Sequence, residues 1–258
     1  MKTKLLTLWL FSLVLLSGLA GCKSYQQLAF EAVESKSHSA VTPLERDRHQ
    51  ERHQAFNARV KQGNVDLIFV GDSITHWWEK RGEEIWQEYY GRRNAVNLGI
   101  SGDRTQHVLW RLDNGNIDGI SPKAAVVMIG TNNLHDNRNT VEETADGVIA
   151  ICKELRTKLP NTKILLLGIF PRELKPCPLR DNVIKTNKII SKIADGRKIY
   201  YLDIGDKFVE ADGSISDEIM YDYLHLTTKG YKIWAEAMEP KLAELMGEKK
   251  HTKPHYRY

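Results

Sequence analysis

The chain has 258 residues, three cysteines and a formal net charge of +4 at neutral pH, with 41% hydrophobic and 27% charged residues. That length suits one α/β domain with a sizeable core, without internal repeats or low-complexity blocks. The charge makes no case for nucleic acid, because Lys2 and Lys4 belong to a segment expected to be removed and the remaining excess forms no basic face.

Residues 1–21 read as a signal segment: Lys2 and Lys4, an apolar run over residues 5–16, then Ser17-Gly18-Leu19-Ala20-Gly21-Cys22. The apolar run is short for a membrane span. Leu19-Ala20-Gly21-Cys22 resembles a bacterial lipobox, which implies cleavage before Cys22 and lipidation of its thiol. The expected mature protein is held at a membrane surface in the cell envelope, on the periplasmic side or at the outer membrane of a Gram-negative source. Residues 22–42 are polar and read as a tether, residues 43–248 as the folded domain, and residues 249–258, with Lys249, Lys250, Lys253 and Arg257, as a solvated basic tail. Beyond Cys22 only Cys152 and Cys177 remain. They lack CxxC spacing and are either a pair in an oxidising compartment or two ordinary buried thiols.

Residues 43–61 predict a charged surface helix with Thr42 as cap and Pro43 in its first position. His49 and His53 would stand one turn apart on it, but their order is not the zinc-protease pattern and no third ligand is evident, so no metal is assigned. Residues 65–75, Val-Asp-Leu-Ile-Phe-Val-Gly-Asp-Ser-Ile-Thr, read as an interior strand of a parallel sheet emptying into Gly71-Asp72-Ser73. In open α/β sheets ligands bind beyond the carboxyl ends of the strands, which is where this places Ser73. The alternation continues with a helix over 77–90, a strand over 95–98, a helix over 105–112, a strand over 124–129 and a helix over 141–159. A strand over 163–169, a helix over 181–194, a strand over 198–204 and a closing helix over 227–246 complete it. Five strands alternating with helices predict a doubly wound, five-stranded parallel sheet with helices on both faces.

Four stretches carry the chemistry: Gly71-Asp72-Ser73, Gly99-Ile100-Ser101-Gly102-Asp103, Gly130-Thr131-Asn132-Asn133 and Asp222-Tyr223-Leu224-His225. A serine hydroxyl needs a base to attack a carbonyl at neutral pH, and a neutral imidazole supplies one. His225 follows the carboxylate of Asp222 by three residues, a spacing at which that carboxylate can fix the imidazole tautomer. The amides of Ser73 and Gly102 and the side chain of Asn132 are candidate donors to a developing oxyanion. Each block has an ordinary alternative as cap, turn or loop; together they form an ordered set on one scaffold.

These blocks resemble those of the SGNH (GDSL-like) hydrolases, and within them the platelet-activating-factor acetylhydrolase catalytic-subunit type, to which residues 102–112 and 220–226 are similar. The resemblance spans residues 65–246 and implies a flavodoxin-like SGNH fold. It implies Ser73 as nucleophile, Asp222 and His225 as its triad partners, and Gly102 and Asn132 in the oxyanion hole. It further implies a small acyl pocket at Ile74, Thr131 and Leu224, and a covalent acyl-enzyme that uses no metal or cofactor. The expected substrate is a small-molecule or glycan ester, with acetylated carbohydrate favoured by the envelope address. The alternatives are a lysophospholipase or acetyl-phospholipid hydrolase, or a surface lipoprotein that binds without turnover. Trp77, Trp78 and Trp86 follow the nucleophile and read either as core or as a platform for a sugar ring.

Overall fold

The computed structural model describes residues 23–249; Cys22, the residues before it that are expected as a signal segment, and residues 250–258 lie outside the described residues. The chain runs α1 (Tyr25–Glu34), α2 (Gln50–Lys61), β1 (Leu67–Gly71), α3 (Ser73–His76), α4 (Glu83–Tyr90), β2 (Ala95–Gly99) and α5 (Thr105–Asp113). It continues β3 (Ala124–Met128), α6 (Thr131–Leu134), α7 (Val141–Lys158), β4 (Lys163–Leu167), α8 (Pro178–Ile190), β5 (Ile199–Leu202) and α9 (Thr228–Met246). The strands form one parallel sheet in the order β2-β1-β3-β4-β5.

Successive residues of a strand point to opposite faces, and here both faces are covered. Ile68 and Val70 of β1 join a cluster with Val148, Ile151 and Leu155 of α7 and Val108 and Leu112 of α5. Leu67 and Phe69 join the opposite cluster with Trp78, Tyr90 of α4, and Trp234, Met238 and Leu242 of α9. The layers follow from the handedness of parallel crossovers. From β1 the chain turns to β2 through α4 on one face, then returns past β1 to β3 and onward through α5, α7 and α8 on the other. The direction of winding reverses between β1 and β3, and the switch point of such a sheet is where a ligand crevice opens.

Three expectations change. Residues 43–49 are not the first turns of a helix. Leu44 N donates to Gln106 O at 3.1 Å, Arg46 reaches the turn after β2, and His49 adopts a left-handed φ of 73° before α2 begins at Gln50. Residues 22–42, expected as a tether, contain α1 among those described. Ser24 and Gln27 cap it reciprocally, Val33 is buried against the α5/α7 side of the core, and Ala29 and Phe30 pack beside it. With only these three apolar contacts in ten residues, its periodicity was too sparse to read. The helix expected over 77–90 splits into a 3₁₀ turn at Trp77–Glu79 and α4, with Gly82 packed against Trp78 and Tyr231 between them. Cys152 is buried and Cys177 half-buried, and both are free thiols. Among the described residues, no helix is long and apolar enough to cross a membrane.

Candidate active site

β1 ends in Gly71, where a Cβ would collide with the Thr75 side chain and with Met128 O of the neighbouring strand. Glycine is needed there for close approach rather than for an unusual φ, so the chain can turn at once into α3 with Asp72 as its cap. Ser73 opens that helix. On the far side of the sheet edge, Met220 and Leu226 form an antiparallel bridge that closes a short loop carrying Asp222 and His225. His225 Nε2 lies 2.9 Å from Ser73 Oγ, and His225 Nδ1 lies 2.7 Å from Asp222 Oδ2. The other carboxylate oxygen, Asp222 Oδ1, accepts from the amides of His225 at 2.7 Å and Leu224 at 3.2 Å. Burial pushes the Asp222 carboxyl up, but the bonds from His225 outweigh it and hold the group below the ordinary carboxylate value. An ionised carboxylate on Nδ1 leaves Nε2 free to take a proton from the serine.

Because β2 and β3 flank β1, the loops that follow them stand on either side of Ser73. Gly102, in the loop after β2, has a left-handed φ of 78°, which suits a residue without Cβ. Asn132, in α6 after β3, donates from Nδ2 to Asp103 O at 2.9 Å. An amide nitrogen has two hydrogens, so this bond fixes the side chain and leaves the second donor available. Asp103 is buried and accepts from Arg46 Nη1 at 2.9 Å and Arg111 Nε at 2.8 Å.

Sequence reasoning named Trp77 but missed its contact with His225, and missed His76 altogether. Trp77 stacks on the His225 ring at 4.4 Å between centroids and 22° between planes. Its Nε1 donates to Ser101 Oγ at 3.2 Å, and Ser101 Oγ in turn meets His76 Nδ1 at 2.9 Å. His76 is held neutral, its pKa lowered to about 4 by burial and by the nearby charge of Arg52, so Nδ1 can accept from the Ser101 amide as well. Of the three tryptophans considered as a platform, Trp78 is fully buried and Trp86 packs partly buried on the same core, whereas Trp77 stands at the triad. The adjacent Trp-Trp pair gave no sign of which indole faces the site, because that depends on the 3₁₀ turn.

Of the three acyl-pocket candidates, Ile74 lies in α3, Thr131 opens α6, and Leu224 lies in the loop that carries Asp222 and His225. Ile74 is buried in the cluster that Leu224 packs against, and its carbonyl accepts from Tyr231 Oη at 2.7 Å. Thr131 is buried, and its hydroxyl accepts from Arg172 Nη1 at 3.2 Å. His53 is also buried: Asn116 Nδ2 sits 3.1 Å from its Nδ1 and Asn57 Nδ2 3.3 Å from its Nε2. Its ring serves the packing of α2 against the residues after α5. No group of His, Cys, Asp or Glu suited to a metal ion occurs among the described residues.

The model of the GDSL-like Lipase/Acylhydrolase family matches residues 69–233, which include every side chain of the Ser73–His225–Asp222 chain. The protein belongs to that family. It is therefore an ester hydrolase. The platelet-activating factor acetylhydrolase IB subunits alpha2 of Rattus norvegicus and Homo sapiens are each 40% identical to it over 206 residues, covering 78% of this chain and 86% of theirs. The alpha1 subunit of Homo sapiens is 37% identical over 197 residues, covering 76% and 83%. Among solved structures, a GDSL-like lipase from Bacteroides thetaiotaomicron matches with a TM-score of 0.60 at 20% identity, covering 75% of this chain and 97% of that one. An acetylxylan esterase from Geobacillus stearothermophilus matches with a TM-score of 0.57 at 19% identity, covering 74% and 98%. These two likenesses establish the shared fold.

Asp72, beside Ser73, is fully buried; its Oδ1 accepts from Ile74 N at 3.0 Å, while Oδ2 has no partner. Burial, aided by the nearby charge of Asp103, raises its pKa from 3.8 to about 7. The unfolded chain gives up this proton near the ordinary value and the folded chain only near 7, so the group makes folding less favourable as pH rises across that window. Asp72→Asn abolishes the titration. Its stability relative to the unsubstituted protein, read from urea midpoints, should rise between about pH 4 and pH 7 and level off above. A relative stability constant over that range would mean that Asp72 is ionised throughout.

Proposed function

We propose that the protein removes short acyl groups, acetyl above all, from O-acetylated carbohydrate through a covalent acyl-enzyme on Ser73. The observation that carries this reading is the unbroken chain Ser73 Oγ–His225 Nε2–Asp222 Oδ2, at 2.9 and 2.7 Å. His225 takes the proton as Ser73 attacks the ester carbonyl, Asp222 stabilises the imidazolium, and His225 returns the proton to the leaving alcohol. Water then repeats the sequence and releases the acid. The amides of Ser73 and Gly102 and the free Nδ2 hydrogen of Asn132 receive the oxyanion in each half-reaction. Hydrolysis of p-nitrophenyl acetate should be lost in Ser73→Ala and fall about 100- to 1,000-fold in Asn132→Ala, the usual cost of one oxyanion donor. Ser73→Ala as active as the unsubstituted protein would remove the assignment.

The acyl preference follows from Ile74 and Leu224, which belong to one packed cluster, and from Thr131, whose hydroxyl is engaged by Arg172. Such a wall has little slack, and forcing extra methylenes into packed surroundings costs about 1–3 kcal/mol. Acetyl esters should therefore exceed butyryl esters roughly tenfold or more in kcat/KM. The acetylhydrolase names of the 40% identical relatives support the same acyl group. For the alcohol, carbohydrate is favoured by the proposed envelope address; Trp77 and Tyr221 lie beside His225 with ring planes 11° apart, but His225 covers one face of Trp77 and the Arg81 guanidinium one face of Tyr221 at 4.0 Å. Acetate release from acetylated xylan, sialic acid and peptidoglycan fragments, set against an acetyl phospholipid, discriminates the alcohols. The relatives' names keep the phospholipid as the second reading. Preference for octanoyl esters would overturn the small pocket.

The proposed address is the cell envelope, through a lipid on Cys22, with residues 1–21 removed. Cys22→Ser should abolish lipid labelling and move the protein from the membrane fraction to the soluble fraction. Membrane attachment that survives the substitution would contradict the anchor.

A further inference from the structure

We infer that Arg46 is a positioning residue for the oxyanion hole, acting on the peptide between Ser101 and Gly102 from outside the stretch that the family model covers, residues 69–233. The inference rests on the reading of the Gly102 amide as an oxyanion donor. A trans peptide is planar, with its C=O and N–H pointing in opposite directions. Ser101 O and Gly102 N–H belong to the same unit, so whatever fixes the first aims the second. Arg46 Nη1 donates to Ser101 O at 3.2 Å and to Asp103 Oδ1 at 2.9 Å, spanning Gly102 from the carbonyl before it to the side chain after it. The guanidinium lies 3.4–3.9 Å from the point a Cβ on Gly102 would occupy, so it packs directly over the glycine.

Two further contacts hold the same turn from its other sides. His76 Nδ1 accepts from Ser101 N at 3.3 Å, and Arg111 Nε grips Asp103 Oδ2 at 2.8 Å. Arg46 differs from both in touching the carbonyl of the donor peptide itself. A charge-assisted bond to that carbonyl draws electron density along the amide and strengthens its N–H as a donor. The side chain of Arg46 is 22% exposed, against 2% for Asp103, so the cation sits in a partly shielded place where its field reaches the loop. Arg46 and Arg111 share the single carboxylate of Asp103, which leaves a net positive charge beside the donors.

The test compares Arg46→Ala, Arg46→Lys and Asn132→Ala in the full chain, with p-nitrophenyl acetate as substrate. Arg46→Ala should lose roughly 10- to 100-fold in kcat with KM within about twofold, a fraction of the 100- to 1,000-fold that follows outright loss of a donor. Arg46→Lys should recover part of it, since an ammonium can reach one acceptor but not bridge two. Low millimolar guanidinium should restore turnover to Arg46→Ala and to neither Asn132→Ala nor the unsubstituted enzyme. Affinity for a trifluoromethyl ketone, which forms a tetrahedral oxyanion on a serine nucleophile, should fall in step with kcat/KM across the Arg46 variants. Arg46→Ala with kcat within threefold of the unsubstituted enzyme would overturn the proposal, as would a loss that neither lysine nor guanidinium repairs. Should Arg46→Ala fold poorly by thermal melt, Arg46→Lys with unchanged kcat and ketone affinity would overturn it alone. If Asn132→Ala is impaired while Arg46→Ala is not, the oxyanion hole stands and only the role of Arg46 falls; if both are fully active, the oxyanion reading itself falls.

Discussion

One buried carboxylate, Asp103, ties together the parts of the molecule that must meet at the serine. Its side chain accepts from Arg46 in the N-terminal arm and from Arg111 in α5, and its main-chain carbonyl accepts from Asn132 after β3. Three segments far apart in sequence are thereby referred to one residue, adjacent to Gly102. Burying an ion costs several kcal/mol unless its lone pairs are filled, and removing one partner of a buried pair typically costs about 3–5 kcal/mol. Asp103 meets that condition with short bonds on both oxygens. The same arrangement that satisfies it fixes the loop on one side of Ser73 and orients the amide on the other. Stability of the sheet edge and geometry of the site are in this sense a single requirement.

The sheet was legible because its signal is local. β1, β3 and β4 are short, almost wholly apolar runs, LIFVG, AAVVM and KILLL, and a strand buried on both faces has to look like that. The ends of β1, β2 and β3 carried the polar blocks, and topology did the rest: with β2 and β3 on either side of β1, the blocks that follow all three converge. The N-terminal arm was not legible for the opposite reason. Residues 43–49 are charged and look helical, yet they form no helix, because Leu44 N finds Gln106 O in α5 and Arg46 finds the turn after β2, partners that no propensity records. α1 presents only three apolar contacts, too few to distinguish it from a polar linker. Long-range partners decided these segments, and long-range partners are what a one-dimensional reading lacks.

The histidines show the same division. His225 was found through its neighbour Asp222, a local spacing. His76, three residues after the serine, looked like any helix residue; its neutral ring serves the Ser101 amide and hydroxyl across the gap between α3 and the turn after β2. Trp77 closes this arrangement by stacking on His225 while donating to Ser101 Oγ. An indole face confines the imidazole rotation without competing for either ring nitrogen, both of which are committed to Asp222 and Ser73. His225 and the turn that carries Gly102 are therefore linked through one side chain.

The loop bearing Asp222 and His225 has no strand or long helix of its own to place it, and its rigidity has another source. Tyr223 within it has a left-handed φ of 60°, and Glu173 in the loop after β4 has one of 69°. Such conformations cost of order 1–3 kcal/mol each and persist only when their surroundings enforce them. Here Glu173 N donates to Tyr223 O at 2.8 Å, joining the two strained residues. Arg180, buried, donates to the carbonyls of Arg172, Glu173 and Gly213, and Arg172, also buried, reaches Thr131 Oγ1 at 3.2 Å. The loop after β4 is thus joined to the loop of Asp222 and His225 by the Glu173–Tyr223 backbone bond, to Gly213 through Arg180, and to Thr131, the residue before Asn132, through Arg172. Carbonyl dipoles fill the guanidinium of Arg180 without a carboxylate, an arrangement that fixes backbone rather than side chains. The loop of Asp222 and His225 and the start of α6 at Thr131 are thereby both tied to one segment, the loop after β4.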